Sequence, residues 1–186
     1  MRRPPWESLV GDDRRRRFEA MYAQTYEPIL GYAMRRCASP EDAADAVAET
    51  FAIAWRRVDV LPPDAETRLW LYGIARNVLA NHRRGRVRRQ SRSVELDADL
   101  ADLYAYSPEG SVELGAIAQA FKELHEDDRE LLSLVAWEGL DHAQLAKVLD
   151  CSRNAVRIRL HRARKRFAKA LARAGVSVNR VTVESI

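Results

Sequence analysis

Near its carboxyl end the chain carries the signals of two helices joined by a tight turn. Asp141 and Gln144, three residues apart, form a D-x-x-Q variant of the capping box that opens the first helix. The break falls at Asp150-Cys151, and Ser152 is a natural N-cap for a second helix that is rich in basic residues. Two helices joined in this way form the helix-turn-helix plan. The chemistry that these residues predict is the recognition of DNA.

A helical wheel divides the second helix into an apolar and a cationic face. Val156, Leu160, Ala163 and Phe167 share one narrow stripe, which we expect to face the core. On the other face, charged side chains can hold phosphates, and Ile158 can pack on a thymine methyl group in a major groove. The predicted DNA contacts are Arg153, Asn154, Arg157, Ile158, His161, Arg162 and Lys165.

Two further arginines lie on the flank of the apolar stripe. We expect the methylenes of Arg159 and Arg166 to cover apolar surface while their guanidinium groups reach phosphates. No acidic residue occurs between Cys151 and Thr182. A solvated basic helix without a ligand is the alternative interpretation, but the turn, the caps and the stripe together favour a DNA-binding helix.

Length and composition are those of a folded protein with one domain or two small ones. The chain has 186 residues, of which 47% are hydrophobic and 31% are charged. Its apolar runs are too short to span a bilayer, and its amino-terminal segment lacks the apolar core of a signal peptide. We therefore expect a cytoplasmic protein. Cys37 and Cys151 have no metal-ligand spacing and are expected to be reduced structural thiols.

The net charge is only +4, but it is unevenly distributed along the chain. One basic run covers Arg14–Arg17, a second covers Arg83–Arg92, and the recognition-type helix forms the third. An acidic segment with little periodicity and with Ser107-Pro108 separates the last two. This pattern predicts two nucleic-acid-binding units joined by a tether.

The amino-terminal unit is predicted to be all helical. Apolar residues recur at helical spacing from Phe18 to Ala33, although Pro28 is expected to bend or break that helix. Ser39-Pro40 is a strong helix start, and the helix should run to about Arg57. A third helix is expected from about Glu66. The only β-like pattern is a short one at residues 176–183, and it is expected to be frayed.

A family resemblance is carried by three segments of the chain: PEDAADAVAETFAIAWRR, TRLWLYGIARNVLANHRR and the helix-turn-helix ending in VRIRLHRARKRF. Together they resemble the extracytoplasmic-function sigma factors of the sigma-70 family. The resemblance implies an all-α fold of two small helical domains, a sigma-2-like bundle at 14–90 and a sigma-4-like helix-turn-helix domain at 113–172. A flexible acidic linker at 91–112 would join them, with tails at 1–13 and 173–186. The implied function is to bind core RNA polymerase and direct promoter-specific initiation of transcription.

The same resemblance implies roles for the two domains. In the family, the first domain binds the β′ coiled coil of polymerase and opens the −10 promoter element, the second reads the −35 element, and the linker threads the polymerase cleft. The implied partners are core polymerase, through its β′ coiled coil and its β subunit, promoter DNA, and an anti-sigma factor, with no membrane. Implied polymerase contacts are Asp42, Asp45, Glu49, Phe51 and Trp55. Implied −10 contacts are Arg68, Tyr72, Arg76, Asn77, Asn81, Arg83 and Arg84.

Several of these residues also have a simpler interpretation. Phe51, Trp55 and Trp70 are expected to be core residues, since they lie on apolar stripes. The acids at Asp42 and Asp45 are explained about as well by ordinary helix capping and solvation as by a contact with polymerase.

The chain departs from the family pattern at a few positions. Ala44 and Ala48 stand where Glu and Gln are usual, so polymerase binding should depend more on the remaining acids. Asp150 occupies a turn position often held by Gly, which Asp tolerates because it enters the left-handed region more easily than most residues. Asn154 and Ile158 replace smaller residues, so the −35 preference of a relative cannot be transferred.

Two rival classes explain less of the chain. A stand-alone helix-turn-helix repressor or activator would fit the carboxyl-terminal part, but it leaves the segment TRLWLYGIARNVLANHRR without a function. A nuclease would need clustered carboxylates or histidines, and the four histidines are scattered. We expect no enzymatic activity, no catalytic residue, no metal and no cofactor.

Overall fold

The structure, a computed structural model, describes residues 5–90 and 112–176, and every regular element in these two ranges is a helix. The chain divides into two compact units, Met1–Glu95 and Leu96–Ile186. In the described ranges, the helices are all too short or too polar to cross a membrane. The acidic segment predicted as a linker falls outside them except for its last residue, and the β-like pattern falls outside them except for Val176.

Three helices and one 3-10 turn form the described part of the first unit. They are α1 (Pro5–Met34), α2 (Pro40–Arg56), the 3-10 turn Val58–Val60 and α3 (Asp64–Gln90). Each of the three helices packs against the other two. Ile29, Tyr32 and Leu71 are completely buried between them. The predicted all-helical bundle is confirmed.

The helix α1 is continuous through Pro28, so of the two predicted outcomes, a bend or a break, the break does not occur. Proline removes one backbone donor and crowds the preceding turn, but packing can offset that cost when the helix is long. Here the buried residues Met21 and Ile29 lie on either side of the proline. Thr25 also donates its hydroxyl to the carbonyl of Met21 at 2.6 Å, within the turn before the proline.

The basic run Arg14–Arg17 on α1 is largely neutralised within the unit. Arg15 pairs with Glu19 at 2.7 Å and Arg17 pairs with Asp13 at 2.6 Å, each one helical turn away. Arg14 is directed inward, where its Nε lies 3.2 Å from Asp59 Oδ1. Three of the four arginines in this run are therefore paired with acids of the same unit, and Arg16 donates to the carbonyl of Asp12.

Local caps set where α2 and α3 begin. Ser39 accepts from the amide of Asp42 at 3.1 Å, and Pro40 occupies the first turn, as predicted. The helix α3 begins at Asp64, two residues before the predicted start. Pro63 explains the difference, because its carbonyl accepts from the amide of Glu66 at 2.7 Å and so extends the first turn backward.

Four helices form the described part of the second unit. They are α4 (Val112–Lys122), α5 (Glu126–Ala136), α6 (His142–Val148) and α7 (Arg153–Arg173). The helix α7 packs against the other three. Phe121 of α4 meets Trp137 and Phe167 edge to face, with ring centroids 5.6 and 5.7 Å apart. The unit is thus built around one long helix.

Candidate DNA and polymerase interfaces

The turn between α6 and α7 is built from the caps that the sequence predicts. Asp141 Oδ1 accepts from the amides of Ala143 and Gln144 at 2.7 and 2.9 Å, and Gln144 Oε1 accepts from the amide of Asp141 at 2.9 Å. The amide of Gln144 is the main group that holds the pKa of the Asp141 carboxyl below its ordinary value of 3.8, with help from Ala143 and the charge of Arg153. The predicted capping box is confirmed.

The chain reverses at Asp150, which adopts a left-handed conformation with φ of 48°. The amide of Cys151 donates to the carbonyl of Ala146 at 3.0 Å, and this bond closes the end of α6 in a Schellman-type motif. Ser152 Oγ then accepts from the amide of Ala155 at 3.1 Å and starts α7. The prediction that Asp can take the place of glycine here is confirmed.

One face of α7 is fixed by burial. Val156, Leu160, Ala163 and Phe167, the four residues of the predicted stripe, are all buried. Because they lie on one side of a 21-residue helix, the opposite side must face solvent. We define the outward face of α7 as the exposed residues Arg153, Asn154, Arg157, Ile158, Arg159, His161, Arg162 and Lys165.

Two features of the outward face of α7 bear on recognition. Arg157 Nη2 donates to Asn154 Oδ1 at 3.1 Å, so the guanidinium fork is held in place before any ligand arrives. Ile158 is 40% exposed between cationic neighbours, as predicted. An apolar side chain there has no partner in its own unit that buries it, which suits contact with a thymine methyl group.

The guanidinium group of Arg166 does not reach outward from the flank of α7 as predicted. Its Nη1 donates to both carboxylate oxygens of Asp128 on α5, at 2.8 and 2.7 Å. Asp128 is only 7% exposed, so this arginine ties α7 to α5 instead of reaching a phosphate. The sequence did not indicate Asp128 as a partner of Arg166, because the helix dipole already favours a carboxylate in the first turn of a helix.

Most of the predicted −10 residues lie on the surface of α3. Asn77, Asn81 and Arg84 recur at helical spacing on an exposed side, and Arg84 Nη2 donates to Asn81 Oδ1 at 2.6 Å. Arg68 and Arg83 are exposed and Arg76 is half-buried. Carboxamide and guanidinium groups on one side of a helix can pair base edges and hold single-stranded phosphates.

Tyr72 is an exception among the predicted −10 residues, and it cannot contact DNA in this structure. Its side chain is 2% exposed, and its ring centroid lies 5.2 Å from that of Tyr32 on α1. The ring is a core residue, because it falls on the buried side of α3 together with Leu71 and Ala75. Trp70, which was expected to be a core residue, is half-buried.

The predicted polymerase residues on α2 separate into exposed acids and an aromatic group. Asp45 and Glu49 are exposed, and Asp42 is half-buried. Phe51 is buried, as expected for a core residue. Trp55 is 41% exposed, so the expectation that it is a core residue is wrong.

The exposed Trp55 is nevertheless held firmly at the end of α2. Its ring meets Phe18 edge to face with centroids 5.2 Å apart, and the guanidinium carbon of Arg14 lies 5.5 Å from its centroid. A large apolar ring that is positioned in this way but left accessible is typical of a protein-binding anchor.

One contact between α2 and α3 was not predicted. His82 Nε2 lies 2.7 Å from Glu49 Oε2, across 33 residues of chain. The sequence places His82 in the polar tail of the third helix, and no local signal links it to Glu49.

The described residues offer no cluster of His, Cys, Asp or Glu that could hold a metal ion. Cys37 and Cys151 are both half-buried.

Comparison with known proteins finds a family match in each of the two units. Residues 21–89 match the family Sigma-70 region 2, and residues 114–167 match the family Sigma-70, region 4. The chain is 32% identical over 169 residues to the RNA polymerase sigma-H factor of Pseudomonas aeruginosa, covering 84% of this chain and 87% of that protein. It is 27% identical over 160 residues to the ECF RNA polymerase sigma factor SigL of Mycobacterium tuberculosis, covering 85% and 90%.

A solved structure shows the same fold. The sigma factor RpoE, crystallised with the anti-sigma factor NepR from Bartonella quintana, superimposes with a TM-score of 0.64 at 23% identity, covering 83% of this chain and 96% of RpoE. Two family matches in the expected order, and relatives aligned over most of their length, lead to one conclusion. The chain belongs to the extracytoplasmic-function sigma factors of the sigma-70 family.

Proposed function

We propose how the surfaces of this sigma factor divide its work, which is to bind core RNA polymerase and direct promoter-specific initiation. The −35 element is read by the outward face of α7, which presents charge and hydrogen-bond donors on the side opposite the buried stripe. This segregation of the two faces is the observation that carries the proposal. Asn154, Arg157, Ile158 and His161 contact bases, and Arg153, Arg162 and Lys165 hold phosphates.

The −10 element is captured on the exposed side of α3. The contacts proposed there are Arg68, Arg76, Asn77, Asn81, Arg83 and Arg84. Tyr72 is left out because it is buried, and it supports the helix from behind. Opening the duplex requires holding extruded bases and single-stranded phosphates, which amide and guanidinium groups can do together.

Core polymerase binds α2 through its exposed acids and its terminal aromatic ring. Asp45 and Glu49 face a basic surface of the β′ coiled coil, with Asp42 at the edge, and Trp55 provides the apolar anchor. Phe51 supports that anchor from inside the unit, through its contacts with Phe18 and Tyr22. The acids should raise the association rate, and the tryptophan should slow dissociation.

Further assignments belong to the same proposal. The working domains are residues 14–90 and 113–172, joined by the acidic linker 91–112 that runs through the polymerase cleft toward the β subunit. The protein acts in the cytoplasm as an initiation factor without an active site of its own. Because RpoE, which shares this fold, was crystallised with an anti-sigma factor, we include such a protein among the partners.

Run-off transcription with bacterial core polymerase on a pool of random promoter templates tests the function. Adding the protein should yield discrete start sites that share two upstream elements, because core polymerase alone does not initiate specifically. If the protein binds duplex DNA but never confers initiation, the repressor class is favoured instead.

One substitution tests the polymerase surface directly. Asp45→Arg places a cation against the proposed basic partner and should abolish co-purification with core polymerase while leaving the helical fold intact. Glu27→Arg makes the same charge change at an exposed position of α1 and should bind normally. Unchanged co-purification of the Asp45 variant would remove α2 from the proposed interface.

A further inference from the structure

We propose that His82 is a positioning residue for polymerase binding, because it holds the carboxylate of Glu49 in the orientation that polymerase meets. The inference rests on the proposed function, in which Glu49 contacts polymerase directly. It assigns a part in that contact to α3, a helix that the proposal otherwise reserves for the −10 element.

The contact is short, and it joins two different helices. His82 Nε2 and Glu49 Oε2 are 2.7 Å apart, which is a hydrogen-bond distance. An ionised carboxylate can only accept, so the imidazole nitrogen donates. The two residues are 33 positions apart, so the bond fixes α2 against α3 at the level of the polymerase surface.

The bond leaves Glu49 able to bind a second partner. Its side chain is 44% exposed and that of His82 is 33% exposed, so solvent or a ligand can reach the pair. A carboxylate has two oxygens and about four lone-pair positions. Because His82 is bonded to Oε2, Oε1 remains available to a basic side chain of polymerase.

Holding a side chain in one rotamer before binding reduces the entropy that binding costs. Ordering one flexible side chain at an interface costs about a 2- to 12-fold change in affinity. Asp45, one turn before Glu49 on α2, is exposed and makes no described contact with α3, whereas the carboxylate of Glu49 is already oriented. His82 therefore makes Glu49 a preorganised contact.

The same histidine lies beside the proposed −10 contacts. Asn81 precedes it in sequence and is bonded to Arg84 at 2.6 Å. The residue that orients the polymerase contact is thus covalently adjacent to a residue proposed to hold promoter DNA. Its role must therefore be separated from direct DNA contact by experiment.

A double-mutant cycle on the full-length chain separates these roles, with the dissociation constant for core polymerase as the measurement. His82→Gln places an amide donor near the position of Nε2, whereas His82→Asn is also an amide but is too short to reach Glu49. We expect H82N to bind about 2- to 12-fold more weakly than the unaltered protein and H82Q to recover most of that loss. Glu49→Ala should weaken binding by more, and H82N should add nothing in its background.

A second readout distinguishes positioning from DNA binding. At saturating core polymerase, H82N should initiate normally from a template that is already melted at −10. Nearly all of the variant is then bound to polymerase, so its weaker affinity no longer matters. Reduced initiation under those conditions would show that His82 acts on DNA, and it would overturn the inference.

The remaining outcomes are also decisive. If E49A binds core polymerase normally, the proposed contact of Glu49 fails and the inference fails with it. If E49A weakens binding but H82N does not, only the inference is overturned. The same holds if the losses of H82N and E49A simply add, or if H82Q binds no better than H82N. Circular dichroism of each variant verifies that the helices remain folded.

Discussion

At the scale of single residues, the outward face of α7 combines side chains that can read bases with side chains that can only hold phosphates. Arg157 is held by Asn154 and lies next to the exposed Ile158, whereas Arg162 has no such neighbour bonded to it among the described contacts. A preoriented arginine fork suits the edge of a guanine, and a mobile one suits the backbone.

Substituting these two arginines should have different consequences. Arg157→Ala should relax sequence preference at one −35 position, at a cost of about 1 to 3 kcal/mol on the preferred site. Arg162→Ala should weaken binding to all sequences alike. Binding of the holoenzyme to preferred and scrambled −35 duplexes measures both, and equal losses on the two duplexes for both variants would contradict the assignment.

Residue-level prediction succeeded where a pattern is local and failed where a partner is distant in sequence. The buried stripe of Val156 and Leu160 follows from helical periodicity alone. The bond between Arg166 and Asp128 joins residues 38 positions apart, and each of them has an ordinary local interpretation. Tyr72 was assigned to DNA by resemblance, although periodicity places it beside the buried residues Leu71 and Ala75.

At the scale of elements, the turn between α6 and α7 depends on a residue with positive φ. Asp150 has φ of 48°, a region in which most side chains are strained and glycine is not. The amide of Cys151 follows it directly and closes the end of α6, so the turn cannot relax without losing that bond.

Two substitutions at this turn should separate strain from side-chain chemistry. Asp150→Ala should lower the free energy of unfolding by about 1 kcal/mol, because alanine tolerates the left-handed region less well than Asp. Asp150→Gly should be neutral or stabilising, since glycine adopts this conformation freely. Chemical denaturation of the full-length variants, followed by circular dichroism, provides both values. A glycine variant less stable than the alanine variant would show that backbone strain at positive φ does not set the stability of this turn.

Three helix starts were predictable because a Ser or Asp cap defines them. Ser39, Asp141 and Ser152 begin their helices as the sequence indicates, because each satisfies backbone amides that are only two or three residues away. The continuity of α1 through Pro28 was not predictable, since it depends on packing against α2 and α3 that no local pattern reveals.

At the scale of the whole molecule, formal charge is a poor guide to where anions bind. The net charge is +4. Arg15, Arg17 and Arg166 are paired with acids in their own units, whereas Arg162 and Lys165 are exposed on the outward face of α7. Of these residues, only Arg162 and Lys165 should neutralise DNA phosphates and release the counterions bound to them.

This difference is measurable through salt. Plotting the logarithm of the holoenzyme's promoter affinity against the logarithm of salt concentration gives a slope that reports the phosphates contacted. Lys165→Ala should reduce the magnitude of that slope by about 1. Arg15→Ala removes the same charge from an ion-paired position on α1 and should leave the slope unchanged. A reduction by Arg15→Ala equal to that by Lys165→Ala would mean that α1 also contacts promoter DNA.

The separation of the two faces of α7 has a consequence for how such a protein can change during evolution. Stability depends on the buried stripe and on the tie from Arg166 to Asp128, whereas Asn154, Ile158 and His161 contribute little to either. Mutations at these outward positions can alter which promoters are used while the helix stays folded and anchored. Duplicated copies of the gene could therefore diverge toward separate promoter sets by a few substitutions, and the same positions are the natural ones to randomise when building mutually orthogonal gene circuits.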